Sequence, residues 1–185
     1  MNFYLRQAGF DDLELIREWR NKEHVRKNSF NQHYVTKEEH KDWFSKLNKD
    51  NTKQCLIFIL EDVPLGISIF SINHKHQRAN WSFYLGETGL PKGTGTKLGF
   101  ASMDYAFDNF KVQKIHTEVL SYNLASLKFH DKLGFVLEGK HKKHFLIESV
   151  FYDVYLFSIF REGWEEKKDN LLMIIEKGNN TSLQG

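Results

Sequence analysis

Apolar residues recur along this chain with two periods, and each change of period marks a new element. Phe3, Leu5 and Ala8 surround a short strand ended by Gly9, and Leu13, Ile16 and Trp19 then follow at helical spacing. Asp11 and Asp12 are placed to cap that helix. Residues 20–30 are polar and weakly periodic, which predicts a helix end and a connecting turn. Thr36 and Glu39 form a capping box, in which hydroxyl and carboxylate each satisfy an end amide. His40, Trp43, Phe44 and Leu47 continue from it at helical spacing. Residues 55–60 and 66–72 read as two strands of a hairpin, joined by Glu61 to Leu65.

In the second half strands and helices interleave. A strand from Asn80 to Leu85 leads into Leu90-Pro91-Lys92-Gly93-Thr94-Gly95-Thr96-Lys97, and a helix follows with Leu98, Ala101, Tyr105 and Ala106 on one face. Another strand, Lys114 to Leu120, precedes a helix with Asn123 at its N-cap, Leu124, Leu127 and Leu133 on one side, and Gly134 at its exit. Residues 135–138 and 150–160 read as closing strands, with Lys140 to His144 between or within them. Trp164, Leu171, Leu172, Ile174 and Ile175 mark a last helix. The β-α-β-α-β order predicts an α/β (α+β) fold with a mixed, partly parallel central sheet. One domain is expected over residues 1–177, with 178–185 a flexible tail.

Composition narrows the function classes. In 185 residues, 41% are apolar, with 16 Phe and 4 Trp, enough for a packed core. A net charge of +2 gives no reason to expect a nucleic acid or a membrane as partner. Cys55 is the single cysteine, so no intrachain disulfide forms, and a reducing cytoplasm is the expected compartment. Met1 to Arg6 has no signal-peptide core, and no apolar run approaches the roughly 20 residues of a membrane span. His74 with His76, and His141 with His144, lack acidic or Cys partners at ligand spacing, so no metal site is expected.

The strand, loop and helix start around Gly93 and Gly95 carry the chemistry. Such a junction gathers unpaired amides at the positive end of a helix dipole, a natural seat for phosphate, although a simple tight turn would look the same. Taken with Asn123, Ser126, His130 and Gly134-Phe135 downstream, it resembles the GNAT superfamily of acetyl-coenzyme A-dependent N-acetyltransferases. The resemblance implies helices on both faces of the sheet and acetyl-CoA as cosubstrate. It implies cofactor contacts from Tyr84, Leu85, Lys92, Gly93, Thr94, Gly95 and Thr96, and from Asn123, Ser126 and Phe129. Two positions depart from the family pattern. Leu90 stands where a basic or amide residue is usual, and His130 stands where tyrosine is usual.

Acetyl transfer needs an amine freed of its proton and a proton for the departing thiolate. Glu118, near a strand end beside the cofactor motif, is the expected base, its pKa raised by burial, with ordering of the backbone or a chain of waters as alternatives. The resemblance implies His130 as the acid, donating as imidazolium, with Tyr122 or a water as rivals. Lys128 and Lys132, one turn apart, either reach the cofactor's 3′-phosphate or line a helix surface.

For the acceptor, residues 15–26 and 36–44 resemble the branch that acetylates sugar nucleotides. The fit is to acetylation of the 4-amino group of UDP-4-amino-4,6-dideoxy-N-acetyl-β-L-altrosamine in pseudaminic acid biosynthesis. Arg20, Asn21, His24 and Arg26 are then the candidate contacts to a UDP-aminosugar, unless the two arginines are ordinary solvated helix charges. Two other functions remain open: acetylation of ribosomal-protein N-termini, and a non-catalytic module that senses coenzyme A or a nucleotide. A homodimer is compatible with each.

Overall fold

The structure, a computed structural model, describes residues 2–180. Strand β1 (Phe3–Gln7) leads through a 3-10 turn (Phe10–Asp12) into helices α1 (Leu13–Asn21) and α2 (Glu23–Arg26). A loop then reaches α3 (Lys37–Lys49), followed by β2 (Lys53–Leu60), β3 (Val63–Asn73) and β4 (Arg78–Leu85). The remainder is α4 (Thr94–Phe110), β5 (Lys114–Leu120), α5 (Leu124–Leu133), β6 (Val136–Ile147), β7 (Val150–Phe160) and α6 (Arg161–Asn180).

The strands form one seven-stranded sheet in the order β1-β2-β3-β4-β5-β7-β6, and β4–β5 is its parallel pair. Alternation along β2 divides the core in two. Leu56, Phe58 and Leu60 join the cluster built with Leu98, Met103 and Phe107 of α4 and Trp164 of α6. Cys55, Ile57 and Ile59 point the other way, into a cluster with Ile16 and Trp19 of α1 and Phe44 of α3. Helices therefore cover both faces. Among the described residues, no helix is long and apolar enough to cross a membrane.

One irregularity in the sheet creates the site. β4 and β5 pair only at Arg78↔Lys114, Ala79↔Ile115 and Asn80↔His116, and beyond these the two strands separate. Residues 81–85 and 117–120 thus leave a wedge between them. Gly86 N–H donates back to the Leu65 carbonyl at 2.8 Å, which fixes the alternation on β4. Phe83 and Leu85 lie at the intervening positions of that ladder, so their main-chain groups point away from β3, into the wedge.

Three local expectations need correction. The basic run from Lys140 lies inside β6, which extends to Ile147 rather than stopping near 138. An edge strand pairs through its main chain and needs no apolar side chains there. Its mismatch with β7 is absorbed by register shifts at Leu137/Gly139 and His141/Phe145. Asp12 does not cap α1. Its carboxylate accepts from Gly9 N–H at 2.8 Å and twice from Arg6 at 2.7 Å, closing the 3-10 turn instead. Of the tail expected from Gly178, residues 178–180 belong to α6, and residues 181–185 lie outside the described residues.

Candidate active site

The wedge opens into a cavity of about 890 Å³ walled on one side by β4, β5 and α5, and on the other by α1, α2, the following loop and α3. The α4 start forms part of its rim. Gly93 holds φ +94° as the N-cap of α4, a left-handed conformation that favours glycine. Thr94 turns inward, its hydroxyl donating to the Pro91 carbonyl at 2.8 Å, and so shapes the loop rather than facing the cavity. Gly95 does line the cavity, and a Cβ there would meet protein no nearer than 3.9 Å. Protein packing does not require that glycine, but a ligand lying against the main chain would.

At the first turn of α4 the Gly95 and Thr96 amides have no partner among the described residues. Lys132 Nζ donates to Thr96 Oγ1 at 3.0 Å, bringing a positive charge to the same helix end. Lys128 remains an exposed helix-surface residue, and Lys92 is exposed on the loop. Amides, helix dipole and ammonium together suit a diphosphate.

On the facing helix, Asn123 caps α5 as expected, with Oδ1 accepting from Ser126 N–H at 3.1 Å. Asn123, Ser126, Phe129 and His130 all line the cavity. Tyr84 lines the cavity, but not through its main-chain amide. Its main chain belongs to the β3 ladder, and its buried hydroxyl donates to the Ile16 carbonyl at 3.4 Å, so Phe83 and Leu85 supply the open amides.

His130 is almost wholly buried, ringed by Trp81, Phe83, Phe135 and Phe157 at centroid distances of 5.0–5.8 Å. Burial pushes its pKa down to about 4, against a partial upward pull from the Ser126 carbonyl. At that value the ring is largely neutral at neutral pH, which does not favour the imidazolium donor expected here. Tyr122 does not replace it, since its hydroxyl donates to the Lys27 carbonyl at 2.6 Å, accepts from Gln32 at 3.0 Å, and does not line the cavity. Glu118 lines the cavity but is exposed, so the burial expected of it is not there.

The opposite wall is built from side chains. Arg20 lines the cavity half-buried. Nη2 donates to the Asn31 carbonyl, while Nη1 is buried with no partner among the described residues. Desolvation lowers its pKa, the mark of a cation held away from water. His24 Nε2 donates to the Leu85 carbonyl at 3.2 Å, tying α2 to the end of β4. Asn21 and Arg26 do not face the cavity. Asn21 clasps both main-chain groups of Val35 (2.8 and 2.9 Å), and Arg26 donates to the carbonyls of Asn21 and Gln32, so both shape the loop between α2 and α3.

His40 was visible in the sequence only as one member of an apolar stripe. It is buried against Trp43 (5.0 Å between rings), lines the cavity, and leaves Nδ1 without a partner among the described residues. Burial pushes its pKa to about 4 as well. Arg20, His40 and His130 thus place three unsatisfied buried polar atoms around one cavity, a burden that a free-standing fold rarely carries without a ligand to meet it. Among the described residues, no three His, Cys, Asp or Glu side chains gather as metal ligands.

Comparison with known proteins agrees with this geometry. A spermidine N(1)-acetyltransferase of Escherichia coli is 25% identical over 161 residues, covering 86% of this chain and 87% of the relative. An acetyltransferase of Campylobacter jejuni, PseH, is 28% identical over 137 residues, covering 74% and 84%. The fold superposes on the spermidine N-acetyltransferase of Vibrio cholerae, solved with CoA and spermine, with a TM-score of 0.82 at 22% identity, covering 88% of this chain and 98% of that one. The family described as acetyltransferase (GNAT) domain matches residues 5–156. The first-turn amides of α4, Lys132 and the open amides of β4 fit the phosphates and thioester arm of acetyl-CoA, the cosubstrate of this family. With its cleft between β4 and β5 and its matching sequence, the chain belongs to the GNAT family of acetyl-CoA-dependent N-acetyltransferases.

Proposed function

We propose that the acceptor is the 4-amino group of a UDP-linked amino sugar, acetylated at the expense of acetyl-CoA. Arg20 carries this reading. A buried guanidinium nitrogen without a partner among the described residues, at the wall of the acceptor half, calls for an anionic oxygen such as that of a diphosphate. Of the carboxylates nearby, Glu87 is paired with Lys22 and accepts from Trp19 at 2.8 Å, while Glu39 accepts from Thr36 N–H at 2.8 Å and faces His33 at 3.4 Å. His33, His40 and the rings of Trp43 and Phe30 add hydroxyl-binding and stacking surface for sugar and base.

In this reading Glu118 receives the acceptor. It lies at the cavity with no hydrogen-bond or ion-pair partner among the described residues, and takes the proton that an arriving ammonium must shed. The Phe83 and Leu85 main chains orient the thioester, and the α4 start holds the diphosphate of the coenzyme.

A polyamine acceptor is the second reading, favoured by the spermidine-acetylating relative at 25% identity. It would draw on Glu118 and Glu39, the cavity carboxylates without a lysine or arginine partner among the described residues. Thiol release from acetyl-CoA with a UDP-4-amino-4,6-dideoxy sugar, spermidine and N-terminal peptides decides among them. The sugar nucleotide is expected to give the highest kcat/KM. Faster turnover of spermidine would overturn the assignment.

A further inference from the structure

Residues 27–36, between α2 and α3, form no helix or strand, so side-chain bonds give this loop its shape. On the near side Asn21 holds both main-chain groups of Val35, Arg26 donates to the Gln32 carbonyl, and Arg20 donates to the Asn31 carbonyl. The loop in turn brings Phe30, Asn31 and His33 to the cavity. Its far side is fastened by one residue. Tyr122, in the turn between β5 and α5, donates its hydroxyl hydrogen to the Lys27 carbonyl at 2.6 Å and accepts from Gln32 Nε2 at 3.0 Å. Among the described residues these are the hydrogen bonds that join the loop to the β5–α5 wall. Beside them, Phe30 meets Phe145 of β6 edge-on at 5.2 Å between rings. The Tyr122 ring is itself held edge-on to Tyr152 of β7 at 4.8 Å, which aims its hydroxyl. The loop is thus a strap, tied to one wall of the cavity by several side chains and latched to the other by a single hydroxyl.

We propose that Tyr122 is a positioning residue for the acceptor: its hydroxyl latches the strap across the cavity, and so keeps Arg20, through Asn31, and the rings of Phe30 and His33 in the arrangement that receives the acceptor. Ordering one loop residue costs about 1–2 kcal/mol of conformational entropy, so side chains carried on a loop are only as well placed as the loop is fastened. The latch is also separable from the strap's own structure. Gln32 Nε2 donates to the Lys27 carbonyl as well, at 3.1 Å, so that carbonyl stays paired when the hydroxyl is removed, and the loss falls on the crossing alone. Tyr122 adjoins Asn123, the cap of α5, which anchors the latch on a turn already fixed by the fold. The proposal rests on the acceptor lying at this wall and not on which amine it carries.

Tyr122→Phe keeps the ring against Tyr152 and deletes the latch. Read by 15N relaxation with no substrate present, backbone order parameters over residues 28–33 should fall from about 0.85 toward about 0.6, with those of α1 and α5 unchanged. A strap as rigid as before would overturn the proposal. With whichever amine the protein acetylates, the variant should raise the acceptor KM about 10-fold while kcat and coenzyme A affinity stay within about two-fold. An unchanged KM, or equal weakening of coenzyme and acceptor, would also overturn it. Arg20→Met separates the latch from the sugar-nucleotide reading. If that change raises KM, adding Tyr122→Phe should raise it by clearly less than a further 10-fold, since part of the latch's effect passes through Arg20; full multiplication of the two effects would contradict the coupling. If Arg20→Met leaves KM as it was, the diphosphate reading fails, and the latch stands or falls on Tyr122→Phe alone.

Discussion

The two halves of the cavity are made differently. The half we assign to the coenzyme is main chain held by local devices: a left-handed Gly93, the first turn of α4, the Asn123 cap on α5, and two strands that part after three pairs. The half we assign to the acceptor is side chain, assembled from α1, α2, α3 and the loop between α2 and α3, and pinned by bonds such as Arg20 to Asn31 and Asn21 to Val35. A main-chain site tolerates sequence change so long as backbone geometry survives, whereas a side-chain site changes ligand when one residue changes. On this contrast, proteins that share the main-chain half can differ in acceptor.

The sharpest way to break the coenzyme half is to fill its rim. Gly95→Val should weaken coenzyme A binding at least about 100-fold, about 2.7 kcal/mol, by calorimetry. The fold should be little affected, because the new side chain meets protein no nearer than 3.9 Å at its Cβ. Acid should damage both halves together. His40 and His130 are each held near a pKa of about 4, whereas an unfolded histidine titrates near 6.5. Between these values the unfolded chain binds more protons. Stability is therefore full above about pH 6.5 and is lost as pH falls toward about 4, by up to about 3 kcal/mol through His130. Urea midpoints across that range check the slope, and His40→Phe should make it shallower.

A narrower change isolates the acceptor half. Arg20→Met should raise the acceptor KM about 30-fold, about 2 kcal/mol, with coenzyme affinity unchanged. Equal loss for both substrates would erase the division drawn between the halves. Smallest is Glu118→Gln, expected to lower kcat by at most about 10-fold at neutral pH, with partial recovery as rising pH deprotonates the amine in solution.

How far the sequence spoke follows the same division. The capping box at Thr36 and Glu39, the Asn123 cap and the Gly134 exit were legible because each is a short-range device with a local physical signature. So was the turn at Gly93 and Gly95. Asp12 misled because its better partner, Arg6, lies on the preceding strand. Asn21 and Arg26 carried the right chemistry for a ligand, but their hydrogen bonds are spent on a loop fourteen or fewer residues away. His130 was found by position, yet its protonation state depends on four rings contributed by β4, β7 and Phe135, and no local pattern encodes that burial. His40 was hidden for the same reason, a polar ring within an apolar stripe.

If the cleft between β4 and β5 grips the coenzyme chiefly through main chain, amide chemical shifts followed during titration with coenzyme A will register it. The largest changes are expected at Phe83, Leu85, Gly95 and Thr96, with the amides of α1 and α3 nearly still. Changes centred on the far side of β5, around His116 and His141, with Gly95 and Thr96 unmoved, would contradict that grip.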